Sequence, residues 1–194
     1  MKKISTGKIV LLSILAFIVI LGIGCVGSYN NLVGLSETVK TQQSNIETQL
    51  QRRADLIPNL VNTVKGSSLH ESSIIDEISN ARASLSGASS LKEKANADSE
   101  LTSALNRLMV VVENYPDLKA NAQYSSLMDE LAGTENRITV ARKDYNDAVK
   151  EYNTKIKRFP TNIVSGMFGY GEKEYFQASE GSEEVPTVDF NTVQ

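Results

Sequence analysis

Residues 32–66 read LVGLSETVKTQQSNIETQLQRRADLIPNLVNTVKG, and their apolar side chains recur at steps of three and four or sums of these. Because an α-helix makes one turn in about 3.6 residues, such steps place the side chains on one helical face. That face comprises Leu32, Leu35, Val39, Ile46, Leu50, Ile57, Leu60 and Val64. Gly66 is a typical terminator, so the pattern predicts a helix A of about 38 residues. Pro58 lies inside helix A and should distort it at the Ala54 carbonyl.

Upstream of helix A, residues 9–26 read IVLLSILAFIVILGIGCV and contain no charged side chain. As a helix this run spans about 27 Å, close to the bilayer hydrocarbon core of about 30 Å. The sequence therefore predicts a transmembrane helix over residues 9–27. Nothing between Val26 and Leu32 forces a break, so this helix should continue directly into helix A.

The charges around the apolar run predict its orientation. Three lysines within residues 1–8 precede it, whereas no lysine follows until Lys40. Lysine and arginine close to a membrane span are retained on the cytoplasmic side. Residues 1–8 should therefore stay in the cytoplasm, and residues 28–194 should lie on the other side of the membrane.

Two alternatives to a permanent transmembrane helix stay open. A cleaved signal peptide needs small residues at its exit site, which this run supplies poorly. A lipoprotein signal would use Cys25, the only cysteine, which follows Gly22 and Gly24; the leucine usual at three residues before such a cysteine is instead Leu21, four before it. We interpret Cys25 as a small apolar residue of the span, with its lipidation as the alternative.

Downstream of helix A, the same periodicity predicts three further helices. Ser68 with Glu71 and Ser90 with Glu93 have the spacing of capping boxes, in which a serine and a glutamate satisfy the first amides of a helix. These two pairs predict the starts of helices B and C.

Two prolines predict where the remaining helices end. Helix C should end at Pro116 and helix D before Pro160, because proline cannot continue a helix. Short connections between helices favour antiparallel neighbours. Residues 28–158 are therefore predicted to form an all-α, antiparallel up-and-down four-helix bundle, with two long and two shorter helices, after the N-terminal transmembrane helix.

The formal net charge of −3 is unevenly distributed along the chain. Residues 177–194 carry four acidic residues and no lysine or arginine, so they are predicted to form a disordered acidic tail. The remainder is near neutral and has no basic stripe, which argues against nucleic acid as a partner.

Several blocks of residues resemble the LemA family, in the order in which that family carries them. They are YNNLV at 29–33, LQRRADLIPNLV at 50–61, ARA at 81–83, YP at 115–116, TENRI at 134–138, AR at 141–142, YN at 145–146 and 152–153, and FP at 159–160. The resemblance covers residues 29 to about 176. It implies a single-pass protein of the bacterial cytoplasmic membrane that carries a four-helix bundle, and no agreed catalytic residues. Family members often occur beside membrane zinc metallopeptidases, which implies a role in assemblies.

No catalytic or metal-binding constellation is visible in the sequence. His70 and Glu71 are adjacent, but without a second histidine they cannot form an H-E-x-x-H zinc pair, and we interpret them as residues of a helix start. The serines at 67–68 and 89–90 have no general base nearby in the sequence. We therefore predict no catalytic residue, no cofactor and no bound metal.

Three polar residues fall on predicted apolar faces. Arg53 lies on the face of helix A and, if helix D runs antiparallel, should be level with residues 133–136. We therefore predict a buried ion pair with Glu135 that sets helix register, with a ligand site or a side chain reaching out to solvent as alternatives. Tyr145 and Tyr152 lie seven residues apart on one face of helix D and should pack in the core with their hydroxyls at its edge.

Residues 159–176 combine aromatic side chains with glycines. In the predicted topology, helix D ends where helix A leaves the bilayer, and aromatic rings favour the membrane–water interface. We therefore predict that this segment, with Phe159, Phe168 and Tyr170, packs at the membrane-proximal end or contacts headgroups. A local cap over the base of the bundle is the alternative.

These patterns favour a non-enzymatic interaction or scaffold module at the cell envelope, because such a module needs no cluster of titratable residues. Its expected partners are the membrane and a protein, and the sequence leaves open whether it forms a homo-oligomer. The alternatives are an accessory subunit of a membrane enzyme such as a zinc metallopeptidase, or an enzyme whose dispersed residues are gathered by the fold.

Overall fold

The computed structural model describes residues 6–66 and 72–176, and within these ranges it contains six α-helices and no strand. They are α1 (Thr6–Lys65), α2 (Ser72–Gly87), α3 (Leu91–Val112), α4 (Pro116–Lys119), α5 (Ala122–Lys157) and α6 (Thr161–Phe168). Helices A to D of the sequence analysis correspond to the C-terminal part of α1 and to α2, α3 and α5. The predicted all-α fold is confirmed. His70, Glu71, the capping serine Ser68 and the tail of residues 177–194 lie outside the described residues.

The first helix runs from the apolar segment into helix A without a break, as predicted, and ends one residue before Gly66. The large apolar side chains between Val10 and Val26 are 52–68% exposed, and Cys25 is exposed among them. A helix this apolar and this long has the composition of a membrane span. Thus α1 joins a candidate membrane span directly to a helix of the bundle.

The chain divides into two compact units. The first unit comprises residues 1–44 with residues 143–175, so its described part contains the beginning of α1, the end of α5, and α6. Its core is formed by one face of each helix, and the buried apolar residues are Leu32, Val39, Tyr145, Ala148, Val149, Tyr152, Ile156 and Val164. The periodic stripes read from the sequence are therefore the faces that pack.

The second unit comprises residues 45–142 with residues 176–194, and its described part contains α2, α3, α4 and the remaining portions of α1 and α5. Its core includes the fully buried residues Ile46, Ile57, Leu60, Ile78, Leu101, Leu108, Leu118, Leu131 and Ile138. Burying one such side chain stabilises the fold by about 1.5–3 kcal/mol. Several facing stripes can therefore hold together helices that would be unstable alone.

Ion pairs between helices show the relative directions of the helices in the second unit. Lys94 of α3 pairs with Glu47 of α1, and farther along the same two helices Asp98 pairs with Arg53. Since the residue numbers rise together, α1 and α3 run in the same direction. Arg82 of α2 bonds Ala54, next to the Arg53 that pairs with Asp98. Glu77 of α2 instead pairs with Arg107 farther along α3, so α2 runs in the opposite direction. The predicted up-and-down order of α1, α2, α3 and α5 is confirmed.

The start of α3 agrees with the prediction from the sequence. The end of α3 and the start of α4 differ from it. The predicted capping box is present, because Ser90 Oγ accepts from the amide of Glu93 at 3.1 Å while the Glu93 carboxylate accepts from the amide of Ser90. Hydrogen bonds from the backbone of Ser89 and Ser90 lower the pKa of Glu93. The prediction that Pro116 ends helix C is wrong: α3 stops at Val112, and Pro116 begins α4. Proline suits a first helical turn, where its missing N–H is not needed.

Pro58 lies inside α1 without ending it. Having no N–H, it cannot donate to the carbonyl of Ala54 one turn earlier. Arg82 of α2 supplies the missing donor, with its Nε 3.0 Å from the Ala54 oxygen. A side chain of the neighbouring helix therefore satisfies the carbonyl that the proline leaves without a partner.

Replacing Arg82 by alanine should lower the free energy of unfolding by about 1–3 kcal/mol, because the Ala54 carbonyl would lose its donor. In a Pro58→Ala background the amide of residue 58 can bond that carbonyl, so Arg82→Ala should cost about 1 kcal/mol less. Urea unfolding of the four proteins in detergent, followed by circular dichroism, measures this coupling. Equal costs in both backgrounds would contradict the role of Arg82 as the replacement donor.

Candidate functional site

The second unit contains a buried charged cluster, which consists of Arg53, Asp98, Glu135 and Arg142. Arg53 is 3% exposed and Asp98 is 1% exposed, whereas Glu135 and Arg142 are partly buried. Arg53 comes from α1, Asp98 from α3, and the other two residues from α5. The cluster therefore joins three helices through charges that are largely withdrawn from water.

Arg53 is the central donor of the cluster. Its Nη1 donates to Asp98 Oδ1 at 2.5 Å and also forms an ion pair with Glu135 Oε2, while its Nη2 donates to Thr102 Oγ1 at 3.0 Å. Arg142 Nη2 donates to the second oxygen of Asp98. Each oxygen of Asp98 thus meets a guanidinium, and two positive charges balance two negative ones.

This arrangement pairs each charge of the cluster with a charge of opposite sign. Both Asp98 oxygens are occupied by arginines, so neither is available to take a proton from a substrate. A buried charge is costly unless it is paired, which ties the axial position of each helix to the others. Within the described ranges, residues 6–66 and 72–176, no group of three or more His, Cys, Asp or Glu is placed to hold a metal ion.

The structure places Glu135 in contact with Arg53, and it adds a more deeply buried partner that the sequence analysis missed. Asp98 precedes Leu101 by three residues and Leu105 by seven, so it lies on their apolar face. An acidic residue on an apolar stripe was the available signal, and it complements the arginine on the stripe of α1. Sequence alone did not indicate which of two carboxylates would lie deeper.

Asp98→Asn should lower the free energy of unfolding by about 3–5 kcal/mol, because two guanidinium groups would lose their shared buried counter-charge. Urea unfolding in detergent, followed by circular dichroism, measures the change. The matched control is Asp147→Asn, whose carboxylate pairs with Lys143 at the exposed surface, where water screens the pair, and this substitution should leave the free energy of unfolding nearly unchanged. Equal effects of the two substitutions would show that the cluster does not stabilise the bundle.

In the first unit, residues 170–175 form a strap that is bound along α5. The Tyr152 hydroxyl donates to the carbonyl of Gly171 at 3.0 Å, and the Tyr145 hydroxyl donates to the carbonyl of Glu174 at 2.9 Å. Burial raises the pKa of both tyrosines, so both hydroxyls stay protonated and can donate at neutral pH. The two tyrosines that the sequence placed in the core are buried, and their hydroxyls bind the strap.

Asn153 holds the middle of the strap at two points. Its Nδ2 donates to the carbonyl of Lys173 at 2.8 Å, and the Lys173 amide donates to its Oδ1 at 2.9 Å. The side-chain amide thus satisfies both backbone groups of one strap residue, as an adjacent β-strand would. Gly169 allows the strap to form, because its φ of +73° ends α6 in the left-handed region that favours glycine.

Asn153→Ala should release the strap and increase tryptic cleavage after Lys173 about tenfold. The reason is that two hydrogen bonds of about 0.5–1.5 kcal/mol each are lost, and cleavage follows the population of the open form. Limited proteolysis with mass spectrometry of the fragments measures the rate. Asn136→Ala, at an exposed position of α5, serves as the control and should leave the rate unchanged. The same rate in Asn153→Ala as in the parent chain would argue against this role of Asn153.

The three aromatic residues predicted at the membrane interface do not form one cluster. The rings of Phe168 and Tyr170 lie against Tyr29 of α1, with centroid separations of 4.7 and 6.1 Å. Phe159, just before α6, is 80% exposed. Since Tyr29 follows the apolar segment of α1 by three residues, the end of α6 lies beside the exit of the candidate span.

An open polar groove runs between α2 and α3. Residues that line it include Asp76, Glu77, Asn80, Asn96, Glu100 and Arg107. Glu77 and Arg107 pair with each other at 2.9 Å. The groove is open to solvent and polar, so it differs from the enclosed, mostly apolar pockets in which small ligands and substrates are usually bound.

Comparisons with known proteins identify similar chains in bacteria. The model of the LemA family matches residues 42–190, a range that contains the whole charged cluster. Magnetosome protein MamQ 2 of Paramagnetospirillum magneticum is 32% identical over 192 residues, which cover 86% of this chain and 69% of that protein. Magnetosome protein MamQ of Magnetospirillum gryphiswaldense is 28% identical over 191 residues, covering 85% and 69% of the two chains. Protein LemA of Metamycoplasma hominis is 29% identical over 195 residues, covering 98% and 87%. None of these names denotes an enzyme.

Proposed function

Because this chain belongs to the LemA family, we propose that it is a membrane-anchored helical bundle that acts as a non-catalytic interaction or scaffold module at the cell envelope. The observation that carries the proposal is the mutual neutralisation of the buried charges. Arg53 and Arg142 engage both oxygens of Asp98, so the most deeply buried carboxylate of the described residues serves the bundle rather than a substrate.

The anchor of this module is the apolar part of α1. Its apolar side chains are exposed and therefore suited to contact with lipid. The helix continues unbroken into the bundle. We place the N-terminus in the cytoplasm and the bundle on the outer side of the bacterial cytoplasmic membrane, because Lys2, Lys3 and Lys8 precede the span. Lipidation of Cys25 is the alternative anchor, and it would leave the bundle on the same side.

The surface of the second unit offers apolar side chains for a protein partner. Val110 of α3 is 71% exposed beside Met109, which is 45% exposed, and Val140 of α5 is 57% exposed. Exposed valines contribute binding energy when a partner removes their apolar area from water.

A photo-reactive amino acid at Val110 or Val140 should form discrete crosslinked products with a protein in native membranes. These products should remain in the membrane fraction after a carbonate wash, because α1 stays in the bilayer. Gel electrophoresis and mass spectrometry identify the products. Asn96, an exposed polar position nearer the start of α3, is the control site and should give no discrete product.

Two further results separate the parts of the proposal. Release of the uncrosslinked full-length protein by carbonate would refute the anchor. Retention in the membrane without any discrete product from Val110 and Val140 would refute the interaction surface. The double substitution Leu15→Lys and Val19→Lys should weaken insertion by about 2.5–3.5 kcal/mol per lysine and so provides a released reference protein.

A further inference from the structure

The helix α6 exposes an unusual amount of apolar surface for its length. Phe159 just before it is 80% exposed, and Ile163, Met167 and Phe168 within it are 54%, 73% and 58% exposed. Thr161, Val164 and Ser165 are buried on the side of α6 that faces away from Ile163 and Met167, and Phe168 lies at the C-terminal end of that buried side. Contiguous exposed apolar patches are uncommon on proteins surrounded only by water, and they mark contact with a membrane or a partner.

The position of α6 relative to the apolar part of α1 favours a membrane over a protein partner as its environment. The Phe168 ring packs against Tyr29, with 4.7 Å between the centroids. Tyr29 follows Val26, the last residue of the apolar run, by three residues, which corresponds to about 4.5 Å along a helix. The interfacial layer on each side of the hydrocarbon core is about 5–7 Å thick. If the span crosses the bilayer, Phe168 therefore lies at the depth of that layer.

The charges around α6 match the same environment. Residues 155–172 contain Lys155, Lys157 and Arg158 and one acidic residue, Glu172, which pairs with Lys157 at 2.9 Å. Lys157 and Arg158 are exposed just before α6, where anionic lipid headgroups would lie. Cations beside an exposed apolar face are the signature of helices that lie in the plane of a membrane surface.

The buried face of α6 is held in place by hydrogen bonds, so the apolar face has a defined direction. The single hydroxyl hydrogen of Ser165 is shared between the carbonyl of Asn162, 3.0 Å from Oγ, and that of Ile156, 3.2 Å from Oγ. After Gly169, the amide of Tyr170 donates to the carbonyl of Ser165 at 2.9 Å. These contacts tie α6 to the end of α5 on one side and to the strap on the other.

We propose that α6 lies in the membrane interface beside the span, with Phe159, Ile163, Met167 and Phe168 inserted between the lipid headgroups and the upper acyl chains. This second, peripheral contact rests on the anchor of the proposed function. It would fix the tilt of the first unit at the membrane, because the protein would then meet the lipid at two places rather than one. Tyr29 and Tyr170, next to Phe168, would lie where tyrosine is enriched in membrane proteins.

The test uses the full-length chain with Cys25→Ala, reconstituted in vesicles of phosphatidylcholine and phosphatidylglycerol. Single cysteines replace Met167, Leu15 or Asp144, and each carries an environment-sensitive fluorophore. Lipids with a nitroxide near the headgroup or at the chain end then quench the fluorophores. The Met167 label should be quenched by the shallow nitroxide at least about twofold more than the Asp144 label, which lies on α5 away from α6.

The Leu15 label reports on the anchor and separates the two proposals. If the deep nitroxide quenches the Leu15 label while no nitroxide quenches the Met167 label, the anchor stands and the proposal for α6 is refuted. If the Met167 label is shielded from water yet insensitive to nitroxide lipids, a protein or a second copy covers α6, and the proposal is again refuted. If the Leu15 label is not quenched either, the span itself is wrong and both proposals fail together.

Omitting phosphatidylglycerol tests the electrostatic part of the proposal. Quenching of the Met167 label should fall when the vesicles contain only phosphatidylcholine, since Arg158 would lose its anionic lipid partners and Lys157 would keep only Glu172. In Lys157→Gln with Arg158→Gln, quenching should no longer depend on the anionic lipid. A parent protein whose quenching ignores lipid charge would overturn the role assigned to these two residues.

Discussion

A guanidinium on the apolar face of a helix cannot be left alone in a core, and this constraint organises the second unit. Arg53 needs counter-charges where little water is available, so α3 contributes Asp98 and α5 contributes Glu135. Arg142 then occupies the second oxygen of Asp98 and balances the charge. A shift of one helix by a single turn, about 5.4 Å, would separate these groups. Apolar stripes tolerate such a shift far better, so the charges select one register among several that would bury similar area.

The backbone follows the same rule in two other places. The Ala54 carbonyl loses its helical donor to Pro58 and receives one from Arg82, a residue of another helix. The strap has no neighbouring strand, and the side chain of Asn153 takes the place of one by pairing with both backbone groups of Lys173. In each case a backbone group that has no partner in regular secondary structure forms a hydrogen bond with a side chain of another segment. The need for that partner makes the contact between the segments specific.

The longer elements were predictable because their signals are local and repeated. The stripe from Leu32 to Val64 predicted the bundle part of α1, and the Ser90 capping box predicted the start of α3. By contrast α4 and α6 are too short for a hydrophobic period to emerge, and a short helix depends on what it packs against. Pro116 illustrates the difficulty: proline ends one helix and begins the next with the same chemistry, and only the packing of Leu118 in the core decides between the two.

The sequence alone determines three features of this protein: a continuous apolar span, helices with defined apolar faces, and an arginine on one of those faces. Those properties depend on residues a few positions apart, and the helical period relates them directly. Which carboxylate meets Arg53, which side chain satisfies Ala54, and what covers α5 were decided by the tertiary structure. Such partners lie at least 19 residues apart in the chain. The period of one helix carries no information about its axial position relative to another, because that position emerges only when all the faces pack together.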